Sequence, residues 1–385
     1  MKKLRILITC EDLDRRRGTE LYIRDVAVAL LRMGHTPFIY TNQPGEVATE
    51  LRNLTIPVVD RLDSLAIVPD LIFGQHHLPT MTALLHFADT PAVYVCHDWY
   101  GQNAFAPGFP RILRFVAVDA TCRDRLIFED GVDESRVRLI PNSVDLDRFP
   151  QRPPLPARPQ RALIFSNYSM ENPHVAALRR ACAHKGIQLD VIGELMNNAL
   201  IKPEEVLKDY DIVFAKGRAA LEALATGCAV IVYSGIRFLG PMVRSNEVNT
   251  MLTLNLGIRA MGSELTPEEL GTRAEIELAR YDPIDAAEAT AFARSRASHL
   301  LASQTIAELC EEVVNEYEQT RAGLDPRLEG PAAARYLERL QAQRLMLIAQ
   351  QQSMQDSTVA KLTARLRRFP RLAKALRPLA RVLSR

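Results

Sequence analysis

Lys216, Gly217 and Arg218 interrupt an apolar run, Ala219 opens a stretch of strong helix formers, and Glu222 falls one turn further on. The residues before them, Ile212 to Ala215, suit a buried parallel strand, and Ala229 to Tyr233 suit the next one. Gly227 supplies a left-handed helix stop between them. Two cations, the unpaired N–H groups of a helix start and the positive end of its dipole converge at one point, which is the chemistry of phosphate binding. Glu222 sits where a carboxylate can accept hydrogen bonds from a pair of ribose-type hydroxyls. Taken alone, the segment fits a solvated basic loop with a surface carboxylate equally well.

Further candidates stand at other expected strand ends. His97 follows directly on the apolar stretch Ala92 to Cys96, with Asp98 and Trp99 behind it, and His76 and His77 follow Asp70 to Phe73. A histidine in such a place suits proton transfer or ligand contact, or else a plain bond to a loop carbonyl. Gly18, Thr19 and Glu20 open a helix after the first strand. The glycine lets a ligand approach the backbone, and Glu20 favours the helix dipole whatever else it does.

These residues need a scaffold of alternating strands and helices, and the sequence provides it. Leu4 to Thr9, Thr36 to Tyr40, Ile56 to Val59, Asp70 to Phe73, Ala92 to Cys96 and Phe115 to Val118 read as strands, with helices from Gly18 to Met33 and from Thr80 to Phe87. Proline is dense and periodicity vanishes from Pro141 to Arg161. Alternation restarts with strands at Ala162 to Phe165 and Leu189 to Ile192 and helices at His174 to Lys185 and Pro203 to Leu207. From Asp282 the pattern is helical to Thr320, and after Pro326 and Gly330-Pro331 it resumes from Ala332 to about Ala364. The expectation is an α/β protein: a first domain over 1–145, a Pro-rich linker over 146–160, a second domain over 161–320 and a helical extension over 331–385.

At 385 residues the chain suits two domains and an appendage. The six cysteines are scattered, with no CxxC and no histidine at metal spacing, which favours buried thiols in a reducing cytoplasm over disulfides or zinc. The opening MKKLRILITCEDLD holds too short an apolar run for a signal peptide, and no run approaches the roughly 18 apolar residues of a spanning helix. The net charge of +2 conceals an asymmetry: residues 361–385 carry nine Lys or Arg and no acid, so 39 basic side chains face 46 acidic ones in the rest. A mildly acidic body with a basic tail is not a nucleic-acid binder.

Four segments, in order, resemble the GT-B glycosyltransferases, in particular the family-4-like group of nucleotide-sugar transferases, over about residues 4–320. They are RILITCEDLDRRRGTELYIRDVAVALLRMGHTPFIYTN, DLIFGQHHLPTMTALLHFADTPAVYVCHDW, FVAVDATCRDRLIFEDGVDESRVRLIPNSVDLDRF and GRAALEALATGCAVIV. The resemblance implies two Rossmann-like parallel-sheet domains facing a cleft. It places the donor on Lys216, Gly217, Arg218, Ala219, Glu222, Ser166 and Asn167, with Glu222 on the ribose, and gives His97 and Asp98 catalytic roles. Gly18, Thr19, Glu20 and His77 would line the acceptor or sugar side. The family's paired glutamates, with seven residues between them, are not complete: Glu222 matches the second, but Phe214 stands at the first. Its usual Arg and Lys after the first strand of the second domain are replaced by Ser166, Asn167 and Asn172, which leaves the diphosphate charge to Lys216 and Arg218. The scheme requires no metal and no cofactor.

The resemblance thus implies transfer of a sugar from a nucleotide-sugar to a glycan or lipid-linked acceptor, as in bacterial surface polysaccharide assembly. The alternative class is a catalytically degenerate GT-B protein that binds nucleotide sugar or scaffolds a glycan-assembly complex. The tail, residues 358–385, interleaves its cations with Val359, Leu362, Leu366, Phe369, Leu372, Leu376, Leu379 and Leu383. As a Pro-broken amphipathic helix it would hold a cytoplasmic enzyme on an anionic membrane surface; as a disordered basic tail it would not.

Overall fold

The computed structural model describes residues 2–323 and 325–356. The first part of the chain runs β1 (Arg5–Leu13), α1 (Gly18–Arg32), β2 (Thr36–Pro44), α2 (Glu46–Asn53), β3 (Val58–Val59), β4 (Leu71–Gly74), α3 (His77–His86), β5 (Ala92–Cys96), β6 (Ile112–Ala117), α4 (Ala120–Asp124) and β7 (Val137–Leu139). The seven strands form one sheet in the order β3-β2-β1-β4-β5-β6-β7, parallel throughout. Every residue of β4 and β5 is buried, which is why both read as unbroken apolar runs.

The second sheet is built from β8 (Arg161–Phe165), α5 (Pro173–His184), β9 (Gln188–Ile192), α6 (Pro203–Leu207), β10 (Ile212–Ala215), α7 (Gly217–Thr226), β11 (Ala229–Tyr233) and β12 (Leu239–Met242). Its order is β12-β11-β10-β8-β9, parallel except for β12, which runs antiparallel to β11. Helices α8 (Val248–Thr253), α9 (Pro267–Ala279), α10 (Pro283–Arg296) and α11 (His299–Thr320) follow. α11 leaves the second sheet for the first, where Arg114 of β6 meets Glu312 at 2.9 Å and Glu316 at 2.6 Å. The two crossing segments pair, Val144 N–H donating to Ala297 O and His299 N–H to Val144 O.

By its internal contacts the chain forms two compact units. Residues 2–107 with 111–323 hold both sheets; Gly108–Pro110 groups with residues 325–356. The second unit contains α12 (Glu329–Asp356), whose first turn includes Gly330 and Pro331. Those two residues were expected to break a helix, but proline is tolerated in a first turn, where its missing N–H has no partner to lose. α2, α8, α9 and β12 were not expected. α9 carries a capping box, Thr266 Oγ1 accepting from Glu269 N–H while Glu269 caps Thr266 in return. All six cysteines are free and buried. Among the described residues no helix is long and apolar enough to cross a membrane. The basic tail, 358–385, lies outside the described residues.

Candidate active site

Both sheets have one point where strand order reverses, between β1 and β4 in the first and between β8 and β10 in the second. Crevices at the carboxyl ends of such strand pairs are where open parallel sheets hold ligands. The carboxyl ends of the two sheets face each other, as their bridges record. Arg15 after β1 meets Glu194 after β9 at 2.7 Å, Arg218 of α7 meets Asp25 of α1 at 2.6 Å, and Asp124 of α4 meets Arg259 at 2.5 Å.

On the second sheet, β10 passes into α7 through the single residue Lys216. Gly217 has φ +56°, a left-handed value that favours glycine, and its N–H donates to Leu256 O at 3.1 Å. The next amides, those of Arg218 and Ala219, lie in the first turn, which no side chain caps, so they are free to donate. Lys216 has no ion-pair partner among the described residues; its Nζ lies 5.5 Å from the Tyr168 ring centre. Desolvation lowers its pKa, with the charge of Asp98 across the cleft opposing the shift.

Arg218 is differently placed from Lys216. Its Nε donates to Glu222 Oε1 at 2.7 Å and its Nη2 to Asp25 Oδ2 at 2.6 Å. Expected to take up diphosphate charge, it is instead neutralised between two carboxylates, and Lys216 is left as the open cation of the loop. Glu222 is buried, 5 % exposed, and its Oε2 takes no bond among the described residues.

Phe214 stands at the first of the paired positions. It is fully buried in β10, edge-on to Tyr233 with ring centres 6.4 Å apart. Because the strand runs into the helix with no loop between them, the position eight residues before Glu222 falls in the core, where a carboxylate could not reach the cleft. Phe214 is a packing residue of the core. Ser166 and Asn167 follow β8 and brace its loop: Ser166 Oγ accepts from Tyr168 N–H and Asn167 Oδ1 from Glu194 N–H. Asn172 caps α5 through Val175 N–H.

On the first sheet, His97 follows β5. Its Nε2 lies 2.5 Å from Gln75 Oε1 and its ring packs edge-on against Tyr22. Burial, with a smaller contribution from His76, pushes its pKa down to about 3. Asp98 is exposed; its Oδ1 accepts from Tyr100 N–H and its carbonyl from Arg125. His77 is not a cleft residue in this structure: it is buried at the start of α3 and stacks on Phe105 at 3.9 Å. His76, one residue earlier, stands among the strand ends instead, its Nδ1 accepting from Glu11 N–H at 3.0 Å. Burial lowers its pKa against the pull of Glu11 and Asp12.

Gly18 has open space around it and Thr19 is half-buried, both at the start of α1. Glu20 is 4 % exposed. Burial raises its pKa to about 8, and contact with Asp12 adds to the rise while Arg17 opposes it. Asp12 Oδ1 and Glu20 Oε2 are both buried with no donor among the described residues, so one shared proton satisfies the pair. Sequence reasoning missed Gln75, Asp12 and Asp25. Only the first two stand at strand ends where a search would have looked.

Residues 16–148 match the model of Glycosyltransferase Family 4. No curated protein matches the chain by sequence. Among solved structures, a glycosyltransferase from Rickettsia africae is 16 % identical, covering 82 % of this chain and 99 % of its own, with a TM-score of 0.59. HepE from Anabaena, solved with UDP and glucose, is 18 % identical, covering 80 % and 100 %, at 0.56. A putative UDP-N-acetylglucosamine 2-epimerase from Listeria monocytogenes is 13 % identical, covering 80 % and 95 %, at 0.51. The fold is that of the GT-B glycosyltransferases, two Rossmann-like sheet domains with a helical C-terminal part, and the first domain carries the Family 4 pattern.

Proposed function

We propose that this chain is a glycosyltransferase that takes a sugar from a nucleotide-sugar donor and passes it to a glycan or lipid-linked acceptor. One observation carries the reading: Lys216 and the free amides of Arg218 and Ala219 end β10 opposite His97 and Asp98 at the carboxyl end of β5. The diphosphate sits against Lys216 and these amides, which stabilise the negative charge that grows on the leaving group as the glycosidic bond breaks. Glu222 Oε2 accepts from a ribose hydroxyl. His97 is neutral at physiological pH, and with Nε2–H on Gln75 its Nδ1 keeps a lone pair for the sugar or acceptor hydroxyl. No step of this scheme passes through a metal or cofactor.

The Family 4 match and the UDP and glucose in the HepE structure support a uridine-type hexose donor. Assembly of surface polysaccharide at the inner face of the membrane suits a cytoplasmic enzyme whose residues 358–385 hold an anionic lipid surface; the charge pattern of the tail supports this. The second reading is a degenerate protein that binds nucleotide sugar without turnover, favoured by the absence of a basic pair after β8. Incubation with UDP- and GDP-sugars and bacterial lipid extract separates them. Labelled sugar transferred to lipid or glycan supports the transferase; thermal stabilisation by a sugar nucleotide with no transfer supports the second reading.

A further inference from the structure

Asp25 lies on α1 of the first sheet domain, and the reading above gives it no role. It is nonetheless tied to the donor helix through one guanidinium. Arg218 Nη2 donates to Asp25 Oδ2 at 2.6 Å, and Arg218 Nε donates to Glu222 Oε1 at 2.7 Å. Arg24 holds the other oxygen of Asp25, Nη2 to Oδ1 at 2.5 Å and Nε to Oδ1 at 2.8 Å. His299 Nε2 approaches the Asp25 carbonyl at 3.2 Å. The side chains of Asp25 and Arg218 are each 15 % exposed and that of Glu222 7 %. Removing one partner of charged contacts this far from water strands the others, which costs much more than breaking a surface pair.

The orientation of the guanidinium is what matters. An arginine beside a lone carboxylate prefers the forked arrangement, two parallel N–H groups on two oxygens. Here Asp25 draws Nη2 away, so Arg218 holds only one oxygen of Glu222. Oε2 is thereby left without a bond among the described residues, on the helix where the ribose is placed. We propose that Asp25 is a positioning residue: by holding Arg218 across the domain boundary it keeps one Glu222 oxygen available for the ribose hydroxyls of the donor. The proposal rests on the donor-site reading above and adds the first domain to nucleotide recognition.

The charge states agree with this arrangement. Burial by itself would raise the Asp25 carboxyl, but Arg218 and Arg24 overcome it and hold the pKa at about 2. Burial likewise works against the Arg218 charge, and Asp25 and Glu222 more than restore it. Arg148, paired with Glu204 at 2.8 Å, also feels the charges of Glu222 and Asp25. A cavity of about 350 Å³ lies behind Asp25, lined among others by Arg24, Glu50, Arg148, Glu204 and His299. These ionic side chains of its wall already face partners, so the cavity is read as solvent space.

In Asp25→Asn one acceptor oxygen becomes an NH2 group, so Arg24 and Arg218 compete for the single oxygen that remains; Nη2 of Arg218 then folds onto Glu222 Oε2, and the ribose loses its acceptor. The test compares calorimetric affinities for UDP and 2′-deoxy-UDP, with GDP and its deoxy form run beside them, in the wild type, Asp25→Asn, Asp25→Glu and Glu222→Gln. The wild type should prefer the ribonucleotide by about tenfold or more, since a site built for a hydroxyl rejects the analogue lacking it. Asp25→Asn should lose most of that preference, Asp25→Glu should restore part of it, and Glu222→Gln should lose it too. A merely structural Asp25 would lower the melting temperature or the active fraction and leave the ratio unchanged, which overturns the proposal. If Glu222→Gln binds both nucleotides as the wild type does, or if no ribonucleotide binds, the donor-site reading itself falls.

Discussion

His97 Nε2 stands 2.5 Å from Gln75 Oε1, and this pairing fixes which face of the imidazole is available for chemistry. Gln75 Nε2 turns toward Phe73 O, which leaves the amide oxygen to accept and places the proton on His97 Nε2. With its pKa near 3, His97 carries no charge at neutral pH. His97→Ala should therefore lower kcat by about 10²–10⁴, the usual range for a lost acid–base group, with donor KM within about threefold. The wild-type kcat/KM should show no limb between pH 5 and 7 that disappears in this variant. Such a limb, assigned by its loss in His97→Ala, would mean that the histidine titrates near its ordinary value.

Glu20 gives the opposite pH signature. Its folded pKa of about 8 exceeds the 4.5 of an unfolded glutamate, so the folded chain holds the extra proton between those values. Stability from this group is present below about pH 4.5 and is lost as pH rises through 8. Glu20→Gln supplies a permanent donor to Asp12 and removes the dependence. Melting curves from pH 5 to 9 should fall less steeply for the variant; parallel curves would contradict a shared proton.

Lys216→Ala should raise the donor KM by about tenfold, in the range of a lost hydrogen bond to a charged group, and leave the acceptor KM unchanged. Steady-state kinetics with each substrate varied in turn reads both. An effect on the acceptor alone would move the cation to the other side of the cleft.

Gly217→Ala tests the strand-to-helix turn. A Cβ there finds its nearest neighbour, Asn255 O, at 4.0 Å, so space is available and the cost is the left-handed φ of +56°. Roughly 1–2 kcal/mol of destabilisation is expected, a melting temperature lower by a few degrees. An unchanged melting temperature would mean that the turn relaxes without strain.

Much of this fold could be read along the chain. β4, β5 and β10 are short and wholly buried, and such strands announce themselves as apolar runs; α7 is bracketed by Gly217 and Gly227 for reasons of backbone geometry that a sequence displays. β1 runs on to Leu13 through Glu11 and Asp12, polar residues that β2 keeps in register up to Pro44, and no local pattern signals that. For the candidate site, positions were legible where one element carries them, as with Lys216 and Glu222 at the start of α7, or where a strand end marks them, as with His97 after β5. Arg218 was misread because its partner Asp25 is 193 residues away. His76 and His77 are adjacent, and only the start of α3 decides which one turns into the core.

The central claim is that nucleotide binds at the β10–α7 turn. Hydrogen–deuterium exchange with and without saturating UDP or GDP tests it most directly, by following amide protection along the full chain. The account predicts slowed exchange over residues 215–222, with a smaller effect around Asp25. Protection confined to the first-sheet loops after β1 and β5, with residues 215–222 unchanged, would contradict it.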